Sequence, residues 1–216
     1  MTITRRQVAG LFGAAAATAA LPLAITGASA QAAPSRLRVA LLADIANFDP
    51  HQFSAVNAPI MKNFYDTLIE YTPEGRAVPS LAASWQIAPD SRSITLNLRE
   101  GVRFHSGAPF NAEAVDANLR KAADPQRGKN LFAPMSVVEN WQVTGPLQIR
   151  INFKAPSPER LITDLLQFTS IIDPAIIADA ETRVGGTGAY TLGERVVGQR
   201  IVMRANPTYW RQGEPA

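Results

Sequence analysis

Residues 78–110 read VPSLAASWQIAPDSRSITLNLREGVRFHSGAPF, and their pattern decides the architecture. From Ser93 to Arg99 the chain alternates. Ile94, Leu96 and Leu98 fall on one face, and Thr95, Asn97 and Arg99 on the other. That period of two is a strand with one buried face. Pro89-Asp90-Ser91 supplies a turn before it, because Pro presets φ and the Asp and Ser side chains can bond back to the chain. His105-Ser106-Gly107 supplies another after it, with Gly free to take positive φ. Trp85 stands where the chain enters the hairpin, at the edge of a core. Nothing in the stretch is catalytic; it is scaffold.

Upstream, Arg36 to Leu42 (RLRVALL) is expected to be a first strand. Asp49-Pro50 must turn, because Pro disfavours helix for the residue before it. Asp49 therefore reads as a turn residue rather than a catalytic carboxylate. His51 reads as a surface histidine, and His105 lies in the hairpin turn; two isolated histidines do not point to a metal. Asn57 is expected to cap a helix with Pro59 in its first turn. Ile60, Met61, Phe64, Tyr65, Leu68 and Ile69 would form its apolar face, and the turn Tyr71 to Gly75 would end it.

Downstream, Asn111 is expected to cap a second helix, with Glu113 in its first turn and Arg120-Lys121 in its last, where each charge complements the helix dipole. Ala112, Val115, Leu119 and Ala122 make its buried stripe. Val137–Val143 and Leu147–Phe153 read as a hairpin. Ser157-Pro158 opens a helix whose stripe is Leu161, Ile162, Leu165, Leu166 and Phe168. Asp173-Pro174 starts a short helix to about Ala180. The glycines around Thr187 are not a phosphate loop, since the G-x-x-x-x-G-K-[ST] pattern is absent and no helix follows. They are expected to bend a last hairpin, 189–196 with 199–205, back into the first sheet.

Composition bounds the function. The 216 residues, 46% hydrophobic and 18% charged, suit a globular fold with one sizeable core or two small ones. Cysteine is absent, which excludes disulfides, thiolate metal sites and a cysteine nucleophile. Residues 1–30 hold Arg5 and Arg6 and no acid. The remainder is nearly balanced, 19 basic against 18 acidic residues, without a basic stripe, so no nucleic-acid partner is indicated. Those thirty residues read as a cleaved signal: a basic start, an apolar Ala-rich run from Val8 to Ile25, and Ala28-Ser29-Ala30 before a mature start at Gln31. The paired arginines of Thr4-Arg5-Arg6-Gln7 favour the twin-arginine route, with general secretion as the alternative.

Four elements, in order, resemble the solute-binding proteins of ABC importers of the dipeptide, oligopeptide and nickel type, family 5. They are Asn47-Phe48-Asp49-Pro50; the run PSLAASW followed by TLNLREGVRFHSGAPFNAEAV; Gly186-Thr187-Gly188-Ala189-Tyr190; and Asn206-Pro207-Thr208-Tyr209-Trp210. The resemblance spans about Leu37 to Trp210. It implies an α/β, periplasmic-binding-protein-like (class II type) first lobe with mixed sheets. Residues 31–78 and 185–216 would form its core subdomain and 79–184 the second subdomain. It implies capture of a peptide or similar small solute in the periplasm for an ABC permease, with no enzymatic chemistry, cofactor or metal. It places the ligand against the segment after the D-P turn, which here is Phe53, Ser54, Ala55, Val56 and Asn57, and against an aromatic for which Phe132 is the candidate. It further implies a second lobe, so the chain is expected to be a truncated form. Two alternatives stay open: an inactive remnant of such a protein, and a secreted hydrolase. The latter lacks both G-x-S-x-G and H-E-x-x-H.

Overall fold

The structure, a computed structural model, describes residues 37–52, 56–126 and 135–214. Ala30, Gln31, Phe53, Ser54, Ala55 and Phe132 lie outside the described residues, as does the signal segment. The chain divides into two units, residues 1–40 and 41–216. Of the first, residues 37–40 are described, and they form no strand; Leu37 and Val39 are exposed. The strand expected over 36–42 is not formed. Strand geometry needs a neighbour to take its N–H and C=O groups, and these residues have no ladder partner among the described residues.

The second unit is built on the expected hairpin. β3 (Ala82–Ile87) and β4 (Ser93–Leu98) pair in antiparallel register, with Trp85 opposite Leu96. Ile94, Leu96 and Leu98 are buried, as the alternation requires. The turn between the strands closes through the Ser91 N–H to the Ala88 carbonyl at 2.8 Å, and Asp90 Oδ1 accepts from the Arg92 N–H. β5 (Val138–Gly145) and β6 (Gln148–Phe153) complete a sheet of order β3-β4-β6-β5. Ahead of it, β1 (Ile69–Tyr71) pairs with β2 (Ala77–Pro79) around a turn in which Gly75 takes φ +79°. β7 (Tyr190–Val196) and β8 (Arg200–Ala205) pair across a turn with Gly198 at φ +71°. Every ladder among the described residues is antiparallel, where mixed sheets were expected. The last hairpin makes its own two-stranded sheet and does not join the first.

Helices cover the inner face of the four-stranded sheet. α2 (Ala112–Ala123) starts as expected, with Asn111 Oδ1 accepting from the Ala114 N–H at 3.0 Å. It buries Ala112, Val115, Leu119 and Ala122 completely. α3 (Glu159–Phe168) begins one residue late, with Pro158 at the cap; Ser157 Oγ donates to the Ala155 carbonyl instead. Ile162, Leu165 and Leu166 are buried, but Phe168 is 46% exposed, because the helix ends there and Thr169 turns away. A 3-10 helix, Pro174–Asp179, follows, capped by Asp173 Oδ1 on the Ala175 N–H.

α1 (Ala58–Phe64) is far shorter than its apolar pattern suggests. The Phe64 carbonyl accepts the Gly188 N–H at 3.0 Å, and Tyr65 turns extended. The backbones meet so closely that a Cβ on Gly186 would lie 2.2 Å from the Phe64 oxygen, and one on Gly188 2.5 Å from the Phe64 carbonyl carbon. Leu68 and Ile69 then join the sheet core, while Met61, Phe64 and Tyr65 pack with Ile45, Phe48, Ile172 and Ile176 in a second cluster.

Candidate functional site

The D-P turn is pinned from both sides. Asp49 Oδ1 accepts the His51 N–H at 3.0 Å, and the Asp49 carbonyl accepts the Gln52 N–H at 3.1 Å. Lys121, in the last turn of α2, donates to both Asp49 oxygens at 2.9 and 2.7 Å. The two side chains are 3% and 5% exposed, so this is a buried ion pair. The sequence places Lys121 in the last turn of this helix, as found, but does not pair it with Asp49. Its spacing from Ala114, Asn118 and Ala122, all on the buried face, is the signal that would have turned it inward.

His51 is fully buried rather than on the surface. Its Nε2 lies 2.7 Å from the Ser170 carbonyl, which can only accept, so Nε2 carries the proton. Nδ1 is buried without a hydrogen-bond partner among the described residues. Burial, with the Lys121 ammonium added to it, pushes the imidazole down to about 4. His105 is similarly held below its ordinary value, chiefly by burial. Its Nε2–H donates to the Gly188 carbonyl at 2.9 Å, and Nδ1 accepts the Gly186 N–H at 3.4 Å. His105 is engaged by backbone groups at both nitrogens and His51 is enclosed with its Nδ1 out of solvent, so neither is presented as a base to a substrate.

Beside the ion pair is a small polar cavity of about 90 Å³, lined on its polar side by Asp49, Gln52, Lys121, Gln126 and Glu181. Gln52 spans it, donating to Glu181 Oε1 at 2.6 Å and accepting from Asn47 Nδ2 at 3.0 Å. Gln52 immediately precedes the segment expected to meet ligand, and Gln126 is the last described residue before the segment that holds Phe132. The structure thus brings the roots of both predicted segments to one place. Of the five residues predicted after the turn, the two described ones differ in exposure. Val56 is 37% exposed, while Asn57 is buried. Asn57 holds the helix N-cap position but makes no side-chain cap. Its Oδ1 accepts the Ala46 N–H and its Nδ2 donates to the Asn47 carbonyl, both at 3.3 Å. Among the described residues, no group of three or more His, Asp or Glu side chains could hold a metal ion.

A second junction, not singled out in the sequence, is Asp66. Its buried carboxylate accepts from Thr187 Oγ1 at 2.8 Å, Tyr209 OH at 3.0 Å and Trp210 Nε1 at 2.8 Å. Trp210 is also flanked by two guanidinium groups, Arg99 at 4.6 Å and Arg211 at 4.7 Å from the ring centroid. The G-T-G-x-Y and N-x-x-Y-W elements therefore converge on one carboxylate. That convergence explains why Thr, Tyr and Trp, each with a donor, stand where they do.

An antiparallel sheet backed by two helices, closed by a Gly-rich return and an aromatic clamp, is the framework of a solute-binding lobe. The chain belongs to the bacterial extracellular solute-binding proteins, family 5, whose middle region matches residues 76–216. Among curated relatives, the glutathione-binding protein GsiB of Salmonella typhi is 27% identical over 218 residues, covering 99% of this chain and 41% of that protein. Among solved structures, NikA from Brucella suis, in complex with Fe(III)-EDTA, has a TM-score of 0.70 at 29% identity, over 78% of this chain and 35% of its own. An ABC transporter substrate-binding protein from Sinorhizobium meliloti has a TM-score of 0.70 at 28% identity, over 81% of this chain and 36% of its own. The chain thus spans well under half the length of these relatives. Its α/β fold is that of a periplasmic-binding-protein lobe.

Proposed function

We propose that this chain serves as the substrate-binding component of an ABC importer. It takes up a peptide or a similar small solute in the periplasm and presents it to a permease of the inner membrane. The observation that carries this reading is the family match across residues 76–216. The name of the GsiB relative supports the solute class, since glutathione is itself a small peptide. The reading needs no bond-making step: two lobes close on the solute about a hinge. The solute-facing residues of this lobe are Phe53, Ser54, Ala55 and Val56, together with Phe132, while Asn57, buried and bonded to the Ala46 and Asn47 backbone, anchors the end of that segment. Residues 31–78 with 185–216 act as the core subdomain and 79–184 as the second. The polypeptide reaches the periplasm after cleavage between Ala30 and Gln31. Peptide is favoured because main-chain hydrogen bonds can hold it without a strong side-chain signature.

Uptake in the host bacterium tests this. Deletion of the gene should lower uptake of labelled di- to pentapeptides, and a plasmid copy should restore it. Loss of nickel-chelate or opine uptake with peptides unaffected would move the solute class. Unchanged uptake of all three would overturn the reading.

A further inference from the structure

The buried histidine at the D-P turn has a use beyond packing. His51 is held on one side only: Nε2–H to the Ser170 carbonyl at 2.7 Å. Its Nδ1 lone pair is buried and faces no donor or acceptor among the described residues. A proton added at Nδ1 would create a buried cation whose new N–H has nothing to bond to. Among the described residues, two charged groups bear on it. Lys121 from α2 opposes that cation, and Asp49 from the same turn favours it. Both Asp49 oxygens are already taken by Lys121, and Oδ1 also by the His51 N–H. The segment 169–172 contributes no charged side chain, and the Glu181 carboxylate, across the polar cavity, accepts from Gln52. The arrangement therefore accommodates neutral imidazole and rejects imidazolium. The turn, by contrast, can leave: it is short, it adjoins a polar cavity, and two of its amide hydrogen bonds end on Asp49.

We propose that Asp49, His51 and Lys121 form an acid-sensitive latch, in which proton uptake by His51 Nδ1 releases the 49–52 turn from α2 and from the Ser170 carbonyl while the four-stranded sheet stays folded. The only covalent change is the new Nδ1–H bond. Release lets that N–H meet water and separates the imidazolium from the Lys121 ammonium. The latch lies at the root of the segment assigned to the solute, but it does not depend on which solute is bound.

The test is amide hydrogen exchange of the full chain at pH 6.5, 5.5 and 4.5, corrected for intrinsic rates. One proton bound on opening raises the opening equilibrium by at most about tenfold per pH unit, and by about 40-fold across this range, which runs from the free imidazole's value to near the buried one. The His51 and Gln52 amides should lose protection by that factor, while β4 and β6 amides keep theirs. In His51→Gln, which cannot be protonated, the loss should vanish. A loss that persists in the variant, no loss in the unsubstituted chain, or a parallel loss in the sheet would overturn the proposal. Should the variant not fold, imidazole nitrogen NMR of the unsubstituted chain decides. A His51 ring still neutral and protonated at Nε2 at pH 5 supports the latch. A ring already charged at pH 6 with the turn amides protected overturns it.

Discussion

Lys121 Nζ lies 2.7 Å from Asp49 Oδ2, across 72 residues of chain, with both side chains out of solvent. Removing one partner leaves an uncompensated buried charge, whereas removing both removes the problem. Lys121→Met should therefore destabilise the protein by about 3–5 kcal/mol, and the double variant with Asp49→Asn by clearly less. Urea midpoints of the two variants measure this. A double variant as unstable as the single would show that the two groups do not depend on each other.

The Asp66 carboxylate accepts from three donors, so Asp66→Ala should leave buried Thr187 and half-buried Tyr209 and Trp210 without their acceptor. A loss of about 2 kcal/mol or more is expected. Asp66→Asn keeps one acceptor oxygen and should fall between that and the unsubstituted protein. Equilibrium unfolding followed by tryptophan fluorescence reports both variants. Near-neutral behaviour of the alanine variant would exclude a clamping role.

The register of β4 makes a sharp comparison. Leu96 is fully buried against the helices, while Asn97 next to it is exposed, donating to Ser84 Oγ at 3.1 Å. Leu96→Ala should cost about 2–5 kcal/mol, and Asn97→Ala under about 1 kcal/mol. Equal costs would place the strand in the wrong register.

Both histidines are held neutral in the folded chain, below the imidazole's ordinary value. Below about pH 6.5 the unfolded chain binds protons that the folded chain refuses, so stability should fall as the pH drops from there toward 4. Each such histidine contributes at most about 1.4 kcal/mol per pH unit. His51→Gln should flatten the slope of stability against pH by up to that amount, measured as urea midpoints at pH 7, 6 and 5. Parallel profiles for the two proteins would rule out His51 as a source of the slope.

Export offers a test of the first thirty residues. The twin-arginine receptor distinguishes Arg from Lys, whereas a general signal needs only positive charge. Arg5→Lys combined with Arg6→Lys should stop the appearance of processed protein in the periplasm. Normal processing of that variant would assign general secretion.

Elements whose evidence is local were legible from the residues alone. The period of two in β4 and β6, the stripe and cap of α2, and the turn at Ser91 each depend on neighbours within a few positions. Propensity and hydrophobic period act at that range. The family elements were legible too, as a pattern, though not what they do. Their meaning emerged only when the chain closed. Thr187, Tyr209 and Trp210 reach Asp66 across 121, 143 and 144 residues, and no local rule connects them. α1 failed as a helix through Ile69 because a distant glycine backbone takes the Phe64 carbonyl, a contact that helical periodicity cannot register. His51 was misplaced for the same reason. Its composition and turn context suit a surface, and only the packing of residues 169–172 and Lys121 around it removes the water. What the sequence determined by itself was the alternation of strand and helix and the family those elements mark. Tertiary structure alone decided which charges are buried and paired, because pairing in a low-dielectric interior depends on distances that the fold, and not the order of residues, sets.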